Sequence, residues 1–194
     1  MPQWSDHPTS NGQLYAFRIV RTPATGSVDA LCTSPGLHGC PTHFVSNRTI
    51  PCEGSDACKL CAAGHSWRWH GYVSCVLVKT NEHVLFECTA QAADTFATYL
   101  CHNPSLIGCH FLARRPSGRQ NGRVIIQART HDLSTARLPD PPNVRRILCH
   151  IWGVQYTEST ETPSERRPFH AVRVHPSTAD ARYDGNGDRF KTLP

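Results

Sequence analysis

Positions 43–61 of the chain read His-Phe-Val-Ser-Asn-Arg-Thr-Ile-Pro-Cys-Glu-Gly-Ser-Asp-Ala-Cys-Lys-Leu-Cys. Cys58 and Cys61 form a Cys-x-x-Cys turn, a spacing that lets two thiolates bind one metal ion. Cys52 lies six positions before Cys58, and His43 can complete a tetrahedron. Three sulfur ligands and one nitrogen in a closed shell predict a structural Zn²⁺ site, because a catalytic zinc keeps one position open for water.

The fourth ligand is the least certain member of this set. Cys40, His65 and His70 lie close enough in sequence to compete with His43. We favour His43, and the alternative to a metal site is a loop of free cysteines.

The composition sets limits on the kind of protein. A chain of 194 residues has room for one core of ordinary size, and its 15 prolines and 13 glycines predict short strands and many loops. No stretch approaches the roughly 20 apolar residues that a membrane span needs. The first residues, Met-Pro-Gln-Trp-Ser-Asp-His-Pro, lack the basic and apolar regions of an export signal. We therefore expect a cytoplasmic protein that does not enter a membrane.

Ten cysteines would also suit a secreted disulfide scaffold. Five of them lie inside apolar segments, where a free thiol behaves as a small hydrophobic group: Cys75, Cys88, Cys101, Cys109 and Cys149. Without an export signal, we predict a reducing compartment, three zinc thiolates and mostly buried free thiols.

The apolar pattern predicts five strands and two helices. The strands are expected at 14–21, 65–79, 83–88, 106–115 and 123–129, with a possible short strand around 28–33. Helices are expected from the Thr89 cap to about Cys101, and from the Asp140 cap to Trp152.

A helix between the third and fourth of five strands is typical of the OB-fold, a small β-barrel. The sequence thus predicts a mainly β, OB-like barrel with an inserted zinc knuckle and a C-terminal helix, although a mixed α+β sandwich fits almost as well. The zinc-stabilised domain would cover residues 14–153, between a flexible N-terminus at 1–13 and a disordered, polar tail at 154–194.

The net charge is +5, and the positive residues are concentrated in one block. Residues 105–130 contain no acid and five arginines: Arg114, Arg115, Arg119, Arg123 and Arg129. Such a block favours binding of a polyanion, and the alternative is a solvated hairpin.

Aromatic residues follow the knuckle directly. Trp67, Trp69 and Tyr72 could stack bases, while Arg68 between them and Arg48 and Lys59 on the loop could contact phosphates. Trp67 and Trp69 share one face of a strand, which could equally be core, and Tyr72 lies on the opposite face with Arg68. At most one of these two faces can therefore meet a ligand, and we expect Phe111 to be a core residue.

A histidine and three cysteines built into an OB-fold resemble the zinc-containing, helix-destabilising single-stranded DNA-binding proteins of tailed phages. More distantly, they are similar to the zinc-bearing OB domain of eukaryotic replication protein A. The resemblance rests on His43, Cys52, Cys58, Cys61 and the element order over residues 14–130. It implies structural zinc, sequence-tolerant binding of single-stranded DNA, and work beside replication or recombination proteins.

Motifs of several enzyme classes are missing. His43 is not followed by the glutamate of a nucleobase deaminase, and five residues separate Cys52 from the next cysteine. Neither His-Glu-x-x-His nor a phosphate-binding Gly-x4-Gly-Lys-Ser/Thr loop occurs. We expect a non-enzymatic protein that binds single-stranded DNA, with RNA not excluded. The alternative is a zinc-stabilised protein-interaction module. Aromatic residues and arginines in one groove would favour nucleic acid, and aromatics buried under a helix would favour the module.

Overall fold

The computed structural model describes residues 17–46, 48–54, 57–131 and 137–155. The chain divides into two units, residues 1–157 and 158–194, and all the described residues belong to the first. The flexible N-terminus predicted at 1–13 lies outside the described residues, as does the predicted tail apart from residues 154 and 155.

Eleven short elements make up the described chain. The strands are β1 (Ile19–Arg21), β2 (Ser27–Cys32), β3 (His38–Val45), β4 (Arg48–Pro51), β5 (Trp67–Leu77), β6 (His83–Thr89), β7 (Cys109–Arg114) and β8 (Ile125–Thr130). The helices are α1 (Lys59–Ala62), α2 (Ala90–His102) and α3 (Val144–Trp152).

The eight strands form one sheet built around β5. Its path runs β1-β6-β5-β2-β7-β8, and β3 pairs with β5 while β4 pairs with β3. Only β1 pairs in parallel; the other pairs are antiparallel. The first half of β5 pairs with β3 and its second half with β2. Residues 71–76 of β5 are buried on both faces of the sheet, whereas residues 67 and 68 at its start are exposed.

Each face of the sheet is covered by one helix. Helix α2 contributes Ala92, Ala93 and Phe96 to a core that includes Val73 and Phe111. Helix α3 lies on the opposite face, where its Val144, Ile147 and Leu148 pack with Tyr72 and Leu85. We call these the α2 face and the α3 face. The core is thus split into two layers by the sheet.

The mainly β architecture with few helices is confirmed, as is the helix between the strands at 83–89 and 109–114. The sheet has eight strands in place of the five predicted, and in the described residues its edges β1 and β8 do not pair with each other. The sheet is therefore open, and the OB-like barrel is not confirmed. Strand β2 corresponds to the possible short strand predicted around 28–33. The strands that were not predicted are β3 and β4, which lie in segments interpreted as turns and metal loop.

The start of α3 differs from the prediction. Its cap is Asn143 rather than Asp140, and the Asn143 side chain accepts a hydrogen bond from the Arg146 amide at 2.9 Å. Gly153 ends the helix in the left-handed conformation, with φ at 69°. The two prolines that follow Asp140 extend the approach to the helix, since a residue before proline disfavours helical geometry.

None of the ten cysteines, all within the described residues, is in a disulfide. Cys75, Cys88 and Cys109 are buried as predicted, Cys149 is half-buried, and Cys101 is exposed on α2. Phe111 is a core residue, as expected. In the part of the chain that the structure describes, no helix is both long and apolar enough to cross a membrane.

Candidate metal centre

The hairpin β3–β4 and the short helix α1 bring four potential ligands together. His43 lies on β3, and the hairpin returns the chain so that the Cys52 amide donates to the Pro41 carbonyl at 2.9 Å. Cys58 immediately precedes α1, and Cys61 lies inside it. The amide of Cys58 donates to the Gly54 carbonyl at 2.9 Å, which closes the turn between Cys52 and α1.

The ligand atoms of His43, Cys52, Cys58 and Cys61 all lie within 4.8 Å of one another. His43 Nε2 is 3.3 Å from Cys58 Sγ and 3.5 Å from Cys61 Sγ, and the Cys52 and Cys61 sulfurs are 3.5 Å apart. For Zn–S and Zn–N bonds of about 2.3 and 2.0–2.1 Å, a tetrahedron has edges of roughly 3.5–3.8 Å. The four residues can therefore hold a metal ion in a closed tetrahedral shell.

A second hydrogen bond fixes which imidazole nitrogen faces the sulfurs. His43 is fully buried, and its Nδ1 lies 3.1 Å from the Ser66 carbonyl oxygen. A carbonyl can only accept, so Nδ1 carries the proton and the Nε2 lone pair points at the cysteines. Ligating histidines are commonly held in this way by a backbone carbonyl.

The thiols of the cluster differ in acidity. Backbone amides, those of Cys61 and Glu53 foremost, lower the pKa of Cys58 to about 6. Burial, and then the neighbouring thiols, raise the pKa of Cys61 to about 12. One sulfur is thus prepared as a thiolate and another resists ionisation. A bound cation favours the thiolate form of each ligand.

The competing residues do not belong to this cluster. Cys40 and His70 are cross-strand partners on β3 and β5, and His70 Nδ1 lies 2.6 Å from the Thr42 hydroxyl. By alternation along the strand, Cys40 points to the opposite side from His43. His65 is exposed and is not among the residues whose ligand atoms converge.

Four of the predicted nucleic-acid-binding residues surround the metal centre. Arg48, Lys59, Trp67 and Arg68 are exposed, and Trp67 lies directly opposite His43 in the pairing of β3 with β5. Phe44, next to His43, is also 62% exposed. We call these five residues the knuckle surface.

No role in binding was predicted for Phe44 from the sequence. Phe44 lies between the candidate ligand His43 and the turn of the β3–β4 hairpin, and this position is the sequence feature that could have indicated a role in binding. Its cross-strand partner is Thr49, and β3 meets β5 only as far as His43, so the ring of Phe44 lies beyond the last rung of that pairing.

Trp69 and Tyr72 are placed less favourably for a ligand. Trp69 is half-buried and packs against the α2-face core, with its ring over Gly39. Tyr72 is fully buried, and its hydroxyl donates to Glu87 Oε2 at 3.0 Å. The interpretation of Tyr72 as a base-stacking residue does not fit this burial, because no face of its ring is accessible. Its apolar neighbours and the buried carboxylate make it a core residue instead.

Two arginines of the basic block, Arg114 and Arg129, lie on the face of the sheet opposite the tryptophans. Phe111 and Ala113 face α2, so by alternation Arg114 lies on the α3 face, and Ile126 and Ala128 place Arg129 there likewise. Trp67 and Trp69 share the α2 face with Val73. The predicted groove of arginines and tryptophans is therefore divided between two faces.

The arginines also differ in what they contact. Arg115 is tied to the backbone, donating to the carbonyls of Thr22, at 3.0 Å, and of Gly122. Arg129 donates to His110 Nδ1 at 3.1 Å, and His110 Nε2 lies 2.6 Å from Asp29. Three further arginines are exposed: Arg114, Arg119 and Arg123.

No family model, curated protein or solved structure matches the chain. Function is therefore inferred from the geometry of the chain's own residues.

Proposed function

We propose that the protein binds single-stranded nucleic acid, with DNA the expected ligand, through the knuckle surface. The observation that supports this most is Trp67, which is 55% exposed and directly opposite the metal ligand His43. An exposed ring on an ordered strand offers a stacking platform, and each stacked base can contribute about 1–3 kcal/mol.

On each face of the sheet, next to the β3–β4 hairpin, a cation accompanies an exposed aromatic ring. Arg48 pairs opposite Val45, which by alternation places it on the same side as His43 and Trp67. Phe44 and Arg68 lie on the other side. Each side thus pairs one aromatic ring with one cation, the combination that binds bases and phosphates together, and we assign the stacked base to the side of Trp67 and Arg48.

The balance of charge supports the same ligand. Lys59 on α1 is a third cation of the knuckle surface, beside Arg48 and Arg68. In the described part of the loop between β4 and α1, the acidic residue is Glu53. A surface of this kind binds phosphates without reading bases, so the proposed binding is tolerant of sequence.

We further propose that the metal is Zn²⁺ and that its role is structural. Zinc suits a donor set of three thiolates and one imidazole in tetrahedral geometry, and a shell filled by protein ligands leaves no position for substrate. Its ligands His43, Cys52, Cys58 and Cys61 would fix the hairpin and α1, and thereby the knuckle surface. The proposal keeps the structural zinc and the sequence-tolerant binding that the resemblance to phage single-stranded DNA-binding proteins implies, without requiring a closed barrel. It also keeps the expectation of non-enzymatic binding in a reducing cytoplasm.

The test is fluorescence anisotropy of labelled oligo-dT across a salt series, with duplex DNA as competitor. We expect binding that weakens log-linearly with salt and is little affected by duplex. Trp67→Ala should lower the affinity about tenfold or more, which corresponds to the loss of one stacked base. Ile125→Ala is the control, because Ile125 is an exposed apolar side chain on β8, away from the knuckle.

A protein-interaction module without nucleic-acid binding is the second candidate function. It is favoured by one observation, the division of the arginines Arg114 and Arg129 from the tryptophans. If metal-loaded protein fails to bind oligo-dT at low salt, the nucleic-acid proposal is wrong and this candidate takes its place.

A further inference from the structure

Strand β8 forms one edge of the sheet, and within the described part of the chain it pairs with β7 only. The His131 amide donates to the Gly108 carbonyl at 3.3 Å, so residue 131 directs its backbone groups toward β7. Alternation then turns the amides and carbonyls of Ile126, Ala128 and Thr130 outward. An outward row of this kind is a template for pairing with another strand.

Helix α2 makes this edge one wall of a groove. The Thr95 hydroxyl donates to the outward carbonyl of Ile126 at 3.4 Å, which ties the helix to the strand. Beyond this contact an open cleft of about 420 Å³ lies between α2 and β8. The cleft is lined by Thr95, Thr98, Tyr99 and His102 of the helix, by Asn103 directly after it, and by Ala128, Arg129 and Thr130 of the strand.

The other side of the edge is positively charged. The side chain of Arg129 is directed to the α3 face by alternation along β8 and is exposed, as is Arg123 at the approach to β8. Residues 105–130 contain five arginines and no acid, so this charge is not neutralised within the segment. A strand added to β8 would therefore have one side against the cleft and the other against arginines.

We propose that the β8 edge binds an extended peptide of a partner protein, which adds a strand to the sheet and carries acidic residues at alternate positions. The outward amides and carbonyls match the hydrogen-bonding pattern of another peptide backbone, and strand addition at a sheet edge is an established mode of recognition. Because side chains alternate along a strand, acids on one side of the peptide would meet the arginines. Residues on the other side would enter the cleft.

Charge and backbone chemistry separate this ligand from other occupants. A second copy of the chain would bring two arginine blocks together, which opposes edge-to-edge pairing of β8 with itself. A nucleic acid could contact the arginines but has no row of amides and carbonyls to pair with Ala128. This site does not depend on the knuckle surface, which lies on β3, β4, β5 and α1.

The test uses a fluorescein-labelled peptide Thr-Glu-Val-Glu-Val-Glu-Thr and the full-length, metal-loaded protein. Anisotropy measures affinity, and NMR measures amide hydrogen exchange of Ala128 and Thr130 with and without peptide. We expect the peptide to bind and to protect both amides. A peptide with lysine in place of glutamate should bind at least about tenfold more weakly.

Two variants probe the two parts of the site. Ala128→Pro removes one outward donor, which an edge strand tolerates, and should abolish the protection at Thr130 and most of the affinity. The double variant Arg123→Glu/Arg129→Glu should lower the affinity about tenfold, since each exposed ion pair contributes up to about fivefold. Lys79→Glu, an exposed cation outside the groove, is the matched charge control and should have little effect.

Three results would overturn the proposal. The first is binding of the lysine peptide as tight as that of the glutamate peptide. The second is unchanged hydrogen exchange of the Ala128 amide in the peptide complex. The third is displacement of the peptide by oligo-dT, with oligo-dT binding that itself depends on Arg123 and Arg129. If Ala128→Pro does not fold, the exchange measurement on the unaltered protein and the double arginine variant decide the matter.

Discussion

Replacing Tyr72 by phenylalanine tests whether this residue is a core element or a ligand-binding one. The change removes only the hydroxyl, which donates to Glu87 Oε2 at 3.0 Å in a fully buried position. The ring keeps its edge-on contact with Trp152, at a centroid distance of 5.6 Å. The variant therefore isolates one buried hydrogen bond.

The expected loss in the free energy of unfolding depends on the hydrogen bonds that the Glu87 carboxylate accepts. A hydrogen bond to a charged group contributes about 1.5–3 kcal/mol, and Glu87 keeps its bond from Arg21 Nε at 2.5 Å. We expect the free energy of unfolding to fall by about 2 kcal/mol. At about 2–4 °C per kcal/mol for a domain of this size, the melting temperature should drop by roughly 4–8 °C. Oligo-dT affinity should be unchanged, because Tyr72 is inaccessible.

Alkaline pH gives an independent readout of the same hydroxyl. Burial, and then the Glu87 carboxylate, raise the pKa of Tyr72 well above its ordinary value. The unfolded chain releases this proton near pH 10 while the folded chain retains it, so stability falls as the pH rises above about 10. Tyr72→Phe lacks this contribution and should lose less stability there, by about 1.4 kcal/mol per pH unit.

Calorimetry or urea unfolding followed by tryptophan fluorescence measures these quantities. The matched control is Tyr99→Phe, because the Tyr99 hydroxyl contacts Thr130 at 3.3 Å in an exposed position. Its loss should change stability by less than about 0.5 kcal/mol. The burial argument fails if both variants are equally stable, or if Tyr72→Phe weakens oligo-dT binding while its stability is unchanged.

Further predictions concern the metal, a glycine and a thiol. Removal of the metal by a chelator should release about one equivalent of zinc per chain and disorder the β3–β4 hairpin, and a metal assay with NMR of the hairpin amides checks this. Gly39→Ala should destabilise the protein by about 1–3 kcal/mol in urea, because a methyl group there overlaps the Trp69 ring, whereas Gly36→Ala meets no atom within 4 Å and should be neutral. Burial raises the pKa of Cys88 from 9.0 to about 12, so stability should fall between these pH values, and less steeply in Cys88→Ala.

The ligand set could be predicted because it depends on short-range geometry. Cys58 at the cap of α1 and Cys61 inside it are placed by one helical turn, and Cys52 directly follows the β3–β4 hairpin that carries His43. All four residues lie within the single stretch 43–61, and their ligand atoms lie within 4.8 Å of one another. The spacing of residues therefore contained the information on the site.

The strands β3 and β4 could not be predicted in the same way. Strand β3 contains Gly39 and Pro41, residues that are depleted in strands, and its alternation of polar and apolar residues is weak. Its extended form depends on pairing with β5, a segment some thirty positions later, from His38↔Tyr72 to His43↔Trp67. A tertiary contact overrides local propensity here. For the same reason, the number of strands differs from the prediction and the expected barrel is not confirmed.

Which face of a strand meets a ligand also depended on tertiary structure. The sequence correctly places Trp67 and Trp69 on one face of β5, yet Trp67 lies at the exposed end beside the metal centre and Trp69 over Gly39. Likewise, alternation separates Arg129 from Ile126 but cannot tell which of the two lies on the side of the tryptophans. That depends on the helix α2, which covers one face only.

The division of the predicted groove is a consequence of the strand order. Two strands, β2 and β7, separate β8 from β5 along the sheet path, a distance of about 14 Å at the usual spacing between strands. A single base stacked on Trp67 therefore has no direct route to Arg129 on the opposite face. The arginines near the β8 edge of the sheet and the aromatic residues near the candidate metal centre therefore need separate explanations. We therefore propose the knuckle surface and the β8 edge as two sites, which separate substitutions at Trp67 and Ala128 should affect independently.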